Sequence, residues 1–232
     1  MLGARVIELP TIEVVPPESY EPLDAALSHL QEYQWLIVTS SNTVGVLKER
    51  MQLLNVQPAQ SPGLQVAAIG SSTSGALREA GFPVDLIPSE YVAESIVDAL
   101  RERVAGARIL LTRAKVARDV IPDELRRCSA SVDVVDAYRT IIPEQSRAKI
   151  ATVFGQNATL PDAVTFTSSS TVTNFFQLLQ DCGIALPVPA LRAISIGPIT
   201  SATLRRQGWE PAVEAGRHDI DGLIEAMLLG LT

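Results

Sequence analysis

Short apolar runs alternate with longer amphipathic stretches along the chain. The apolar runs are Leu36–Val38, Val66–Ile69, Ile109–Leu111, Val164–Phe166 and Ile194–Ile196. Such short, wholly apolar runs are typical of strands buried on both faces of a sheet. Between them apolar residues recur every three or four positions, the spacing of one helix face, as at Ile220, Leu223, Ile224, Met227 and Leu228. The alternation predicts an α/β fold with parallel sheets and right-handed crossovers.

The same pattern occurs twice. The segment WLIVTSSNTVGVL from Trp35 resembles AVTFTSSSTVTNF from Ala163. Further on, AAIGSSTSGALREAGF from Ala67 resembles SIGPITSATLRRQGW from Ser195. A repeat of this length predicts two similar α/β domains.

The first copy of the repeat is shorter than the second. ARVIELPTIEVVPP near the N-terminus aligns with ASVDVVDAYRTIIPE from Ala130, so that Ile12 stands opposite Tyr138. In the second copy a strand-helix unit, Gly106–Arg127, precedes this stretch, and it has no counterpart before the first. We therefore expect the N-terminal domain to be incomplete, with a strand over Arg5–Leu9 beside an open edge.

Polar clusters follow the strands at equivalent places in both copies. The candidate ligand-binding residues are Thr39, Ser40, Ser41, Asn42, Ser71 and Thr73 in the first copy, and Thr167, Ser168, Ser169, Gly197 and Thr200 in the second. Open α/β sheets bind ligands beyond the carboxyl ends of their strands. Helix N-termini with hydroxyl caps and free N–H groups attract anions there. We expect four such helix ends to face a common cleft and bind a ligand with several carboxylates. Plain capping is the alternative, and it is the better explanation of any one cluster taken alone.

Two further residues are candidates for the same site. Arg113 follows the predicted strand ILLT and suits pairing with a carboxylate, or serves only to keep the sheet edge soluble. Tyr138 follows the predicted strand VDVVDA and breaks the internal symmetry. Its hydroxyl suits donation to a ligand between the domains, and the alternative is a ring that only packs at a hinge.

Composition narrows the function classes. The 232 residues are 47% hydrophobic and 19% charged, which favours a folded chain. The net charge of -7 comes without a basic cluster, so a nucleic-acid partner is not indicated. No apolar run approaches the ~20 residues of a membrane span. The two histidines and two cysteines form no metal-binding pattern, and we expect no metal.

The motifs together resemble the uroporphyrinogen-III synthases over essentially the whole chain. The segments that carry the resemblance are IVTSSNTV, TFTSSSTV, AAIGSST, SIGPIT, LLTRAKVARDVIPDEL, DAYRT, LPTIEVVPP and DIDGLIEAM. The resemblance implies two flavodoxin-like parallel-sheet domains. One is continuous, residues 20–137, and the other is discontinuous, residues 1–19 with 138–232.

The resemblance also implies an activity. The family converts hydroxymethylbilane, a linear tetrapyrrole, to uroporphyrinogen III, with inversion of the last pyrrole ring and loss of water. It is a cyclising lyase without metal or organic cofactor. We accordingly expect a cytoplasmic monomer that binds neither nucleic acid nor a membrane.

Residue by residue, Tyr138 matches the family tyrosine implicated in departure of the substrate hydroxyl. Thr73 and Thr200 match the threonines of its IG-x-x-T segments. The family's FTS segments correspond to Thr39, Ser40, Thr167 and Ser168. The first of these reads VTS here, and Ser71 replaces a usual proline. Two alternatives remain open: a non-catalytic truncated relative acting as a binding or regulatory module, and an unrelated two-domain α/β small-ligand binder.

Overall fold

Strands and helices alternate in the computed structural model, which describes residues 3–185 and 191–231. The strands are β1 (Glu13–Val15), β2 (Trp35–Val38), β3 (Gln65–Ala68), β4 (Arg108–Ala114), β5 (Ser131–Ile141), β6 (Ala163–Phe166), β7 (Arg192–Ser195) and β8 (Val213–Glu214). The α-helices are α1 (Glu21–Ser28), α2 (Ser41–Leu54), α3 (Ser71–Glu79), α4 (Ala93–Leu100), α5 (Val120–Arg127), α6 (Gln145–Phe154), α7 (Ser169–Asp181), α8 (Pro198–Arg206) and α9 (Ile220–Leu231). The expected α/β class with parallel sheets is confirmed.

The chain divides into two compact units. The continuous unit is Val14–Thr140, and the discontinuous unit is Met1–Glu13 with Ile141–Thr232. The domain limits expected from the sequence, after residue 19 and before residue 138, stay a prediction, because a division by contacts does not test which segments fold independently.

The continuous unit has a five-stranded sheet in the order β1-β5-β4-β2-β3. β4 pairs in parallel with both β2 and β5, and β2 pairs in parallel with β3. Successive residues of β2 enter different cores, because side chains alternate across a strand. Leu36 packs with the α1, α2 and α3 side, whereas Ile37 packs with the α4 and α5 side. Both faces are therefore covered, which explains the wholly apolar sequence of β2.

The discontinuous unit has a three-stranded parallel sheet, β6-β7-β8. One face packs on an aromatic cluster. Phe175 lies at its centre, with ring centroids 5.3 Å from Phe154, 5.4 Å from Phe166 and 6.3 Å from Trp209. The Trp209 ring nitrogen donates to the Leu191 carbonyl at 3.1 Å, so the buried indole is also satisfied in its polar group.

The predicted strand over Arg5–Leu9 is wrong. This stretch is neither strand nor helix, and Val6 is 78% exposed. Extended backbone forms a strand only where a neighbouring strand takes up its N–H and C=O groups. Among the described residues, β6 is the edge of its sheet and does not pair with this stretch. The strand that does form nearby, β1, lies beside β5 in the other sheet.

No helix in residues 3–185 and 191–231 is both long and apolar enough to cross a membrane.

Phe175→Ala is expected to lower the free energy of unfolding by about 3–5 kcal/mol, because it opens a cavity at the centre of the aromatic cluster. Urea denaturation followed by circular dichroism measures the change. The matched control is Ile199→Ala in the same unit, where the side chain is 74% exposed and the expected change is within about 0.5 kcal/mol. Equal effects of the two substitutions would contradict this view of the core.

Candidate functional site

Helix α2 begins where strand β2 ends, and a serine caps it. The Ser40 Oγ accepts a hydrogen bond from the Thr43 backbone N–H at 3.3 Å. This satisfies one of the N–H groups that a helix leaves unpaired at its start. Thr39 and Ser40 are half-buried, whereas Ser41 and Asn42 are exposed. The expected polar cluster therefore lies at the carboxyl end of β2.

The equivalent helix of the discontinuous unit, α7, begins in the same way after β6. Ser168 Oγ accepts from the Thr171 N–H at 3.2 Å, and Thr171 Oγ1 accepts from the Ser168 N–H at 3.2 Å. The two bonds form a reciprocal capping box. Thr167 is exposed, and Ser168 and Ser169 are half-buried.

The second polar cluster of each unit is capped by a glycine, which corrects the expectation of a hydroxyl cap. Gly70 precedes α3 and Gly197 precedes α8, and neither helix has a side-chain cap bond. Gly70 has φ +91°, a region that favours glycine. Ser71 is exposed, while Thr73 and Thr200 are buried in the first turn. Both helix N-termini are therefore without a hydroxyl cap, which suits anion binding. In α8 the first residue is Pro198, which has no N–H, so the N–H groups of that helix start at Ile199.

Two rings that the sequence analysis missed lie beside these glycine caps. A Cβ added at Gly197 would lie 3.0 Å from the His218 ring, and one added at Gly70 would lie 3.8 Å from the Tyr91 ring. Each ring follows its glycine by 21 residues. That common spacing in the repeat is the signal that could have found them.

Tyr138 lies inside β5 and does not follow it as expected. The strand continues to Ile141, because Tyr138 still pairs with Ala114 of β4 after a register shift. The side chain is 8% exposed, and its Oη lies 3.1 Å from Ser40 Oγ. The structure thus brings together two candidates, one that follows β2 and one that lies within β5.

Arg113 also lies inside its strand, β4, and its side chain is only 10% exposed. Its guanidinium donates to the Arg118 carbonyl at 2.9 Å and to Asp119 Oδ1 at 2.5 Å, while Nε has no partner among the described residues. The carboxylate that Arg113 meets here belongs to its own chain. Asp119 stands at the N-cap of α5 without capping it, since its carboxylate faces the guanidinium instead.

Another group of polar side chains lies at the opposite end of the five-stranded sheet, where its parallel strands begin. Tyr33 donates to Asp133 at 2.8 Å, and Arg108 donates to Asp133 at 3.1 Å and stacks 4.7 Å from the Tyr33 ring centroid. These side chains border a cavity of about 460 Å³. Burial, followed by the hydrogen bond to Asp133, raises the pKa of Tyr33 to about 12. Because Arg108 is already paired with two carboxylates, Asp133 and Glu32, we interpret this cluster as structural.

No group of three or more metal-ligating side chains occurs in the part of the chain that the structure describes. The expectation that the helix ends of the two units face a common cleft stays a prediction.

Comparison with known proteins gives one consistent result. A family model described as uroporphyrinogen-III synthase HemD matches residues 1–225. The uroporphyrinogen-III synthase of Synechococcus elongatus is 35% identical over 229 residues, which cover 97% of this chain and 86% of that protein. That of Chlorobaculum parvum is 23% identical over 211 residues, covering 89% of this chain and 81% of that protein.

Two solved structures share the fold. A mutant uroporphyrinogen III synthase from Thermus thermophilus matches with a TM-score of 0.66 at 17% identity, over 97% of this chain and 88% of that one. The Helicobacter pylori enzyme matches with a TM-score of 0.63 at 18% identity, over 95% and 91%.

Tyr33 is expected to make stability fall at high pH. Its folded-state pKa of about 12 lies above the value of about 10 for an unfolded tyrosine, so its contribution is complete below pH ~10 and is lost as pH rises towards 12. Urea denaturation of Tyr33→Phe should therefore show a shallower loss of unfolding free energy above pH ~10. Tyr91→Phe, at an exposed ring, serves as control, and parallel profiles for wild type and Tyr33→Phe would contradict the prediction.

Proposed function

The chain belongs to the uroporphyrinogen-III synthase family, and we propose that it closes hydroxymethylbilane into uroporphyrinogen III with Tyr138 as the proton donor. It is a cyclising lyase of tetrapyrrole biosynthesis, the route to porphyrins and heme. The observation that carries the assignment of Tyr138 is a buried phenol whose oxygen is held 3.1 Å from Ser40 Oγ.

The reaction requires that the protein position the substrate and supply one weak acid. The phenol proton passes to the leaving hydroxyl, the C–O bond breaks with its electron pair on that oxygen, and water departs. The pyrrole nitrogen supplies electrons to the exocyclic carbon, which gives an azafulvene that the far pyrrole attacks. To invert the last ring, the attack goes through its already substituted α-carbon, and the old bond from that carbon to the neighbouring methylene bridge then breaks to give a second azafulvene. The free α-carbon of the same ring attacks this azafulvene and closes the macrocycle. As that attacking ring regains aromaticity it releases its α-proton, which restores the phenol. Positioning accounts for much of the rate, and a weak acid within hydrogen-bond reach for the remainder.

Holding the substrate means holding several carboxylates. We assign this to the helix ends at Ser40, Gly70, Ser168 and Gly197 and to the Arg113 guanidinium, which suits a carboxylate in a bidentate arrangement. Support comes from the glycine caps without side-chain cap bonds and from Asp119, which shows that a carboxylate fits against Arg113. The acidic net charge does not oppose this, because local backbone dipoles act at short range.

The direct test is product analysis of the purified protein supplied with hydroxymethylbilane. Spontaneous closure gives the type I isomer, whereas the proposed enzyme gives type III. Accumulation of type I alone would favour the alternative of a non-catalytic binding or regulatory module.

Tyr138→Phe should lower the rate of type III formation roughly 10- to 100-fold, at or below the lower end of the usual contribution of a general acid because this substrate can ionise unaided. Tyr33→Phe, which removes a phenol at the other end of the same sheet, is the control and should keep the rate. An unchanged rate in purified, folded Tyr138→Phe would remove this tyrosine from the mechanism.

Arg113→Gln should raise KM for hydroxymethylbilane about tenfold, since a charged hydrogen bond to one carboxylate is lost. Arg113→Lys keeps the charge without the planar fork and should give an intermediate KM. Steady-state kinetics on variants with wild-type melting temperatures measure the effect. If Arg113→Gln binds substrate as wild type does, Arg113 serves only the fold.

A further inference from the structure

The two equivalent serine-capped helices differ in one respect that the repeat does not explain. Both begin with a serine followed three positions later by a threonine, Ser40 with Thr43 and Ser168 with Thr171. In α7 the threonine hydroxyl turns back to the serine and closes the capping box. Within α2, as described, only the serine half of the box forms.

In α2 the Thr43 hydroxyl is not used in a capping box and instead takes part in a chain of three hydroxyls. Thr43 Oγ1 lies 3.3 Å from Ser40 Oγ, which lies 3.1 Å from Tyr138 Oη. Thr43 is fully buried and Tyr138 nearly so. A low dielectric strengthens such a chain and polarises its members in one direction. The repeat partner of Tyr138 is Ile12, which has no hydroxyl to offer Ser168.

Each pair of hydroxyls can donate in either direction, and a count of hydrogens defines the one direction that leaves the phenol hydrogen unused. A serine hydroxyl has one hydrogen and two lone pairs. One lone pair of Ser40 accepts the Thr43 backbone N–H. If the second accepts the Thr43 hydroxyl, the Ser40 hydrogen points to the Tyr138 oxygen. The phenol hydrogen then has no acceptor within the chain and stays available to a substrate.

We propose that Thr43 is a positioning residue that acts through Ser40 and keeps the Tyr138 proton directed to the leaving hydroxyl. The inference rests on the proposed function of this site. Without the Thr43 hydroxyl, Ser40 has an open lone pair, and the phenol proton can turn inward to it. The loss of the Thr43 hydroxyl therefore slows proton donation and leaves substrate binding unchanged.

Thr43→Val tests this, because it removes the hydroxyl and keeps the backbone N–H that Ser40 caps. The kcat for type III formation should fall roughly threefold to tenfold, the size of one neutral hydrogen bond, with KM unchanged. Thr43→Ser should restore kcat. The comparison is Thr171→Val, which removes the equivalent hydroxyl from α7. Because it opens the capping box at a helix end proposed to hold a substrate carboxylate, its effect should fall on KM and not on kcat.

A double variant separates action through the phenol from any other action. In a Tyr138→Phe background, Thr43→Val should have no further effect on kcat. The proposal is overturned if Thr43→Val lowers kcat by the same factor in both backgrounds, if it raises KM instead, or if Thr171→Val has an equal effect.

A spectroscopic readout distinguishes failure of this proposal from failure of the proposed function. The tyrosine doublet in the ultraviolet resonance Raman spectrum reports whether a phenol donates or accepts a hydrogen bond. The difference between wild type and Tyr138→Phe isolates Tyr138. Thr43→Val should shift that signal towards a donating phenol even in a protein that yields only the type I isomer. An unchanged signal would contradict the proposed chain of hydroxyls.

Discussion

The geometry of parallel pairing is the constraint on which the candidate site depends. Parallel strands all end at one edge of a sheet, and the helix that follows each strand begins at that edge with unpaired N–H groups. In the continuous unit, β2 and β4 pair in register from Trp35 with Ile109 to Val38 with Thr112. Residues just beyond these pairs, Ser40 and Arg113, are therefore placed at the same edge although they lie far apart in the chain.

The repeat gives the chain two such sheet edges, and the proposed chemistry depends on a difference between them. Ser168 closes a reciprocal box with Thr171, whereas Ser40 takes part in a hydroxyl chain with Tyr138. A capping box has only a local role, because both of its hydrogen bonds end on the helix backbone. A hydroxyl chain that ends on a phenol can serve a reaction. One substitution in the repeat, tyrosine for isoleucine, accompanies this difference.

Arg113 illustrates how an acidic protein accommodates a buried cation near the carboxyl end of a strand. The guanidinium is nine-tenths buried and pairs with Asp119, whose own side chain is 66% exposed. A buried charge without a partner is costly, so an internal carboxylate stabilises the arginine when no ligand is bound. Because Asp119 is exposed, the proposed exchange of its carboxylate for one of the substrate would cost few buried contacts.

The sequence alone determined the α/β class, the buried strands and the serine caps of α2 and α7, because these depend on local periodicity and on hydroxyls within three residues of their partners. The family resemblance was also readable in the order of the motifs. Tertiary structure decided that Arg5–Leu9 forms no strand, since strand formation needs a neighbouring backbone. It also decided that Tyr138 lies within β5 and meets Ser40, 98 positions away. Hydrogen-bond partners at such separations follow from sheet register and strand extent, which no local pattern specifies.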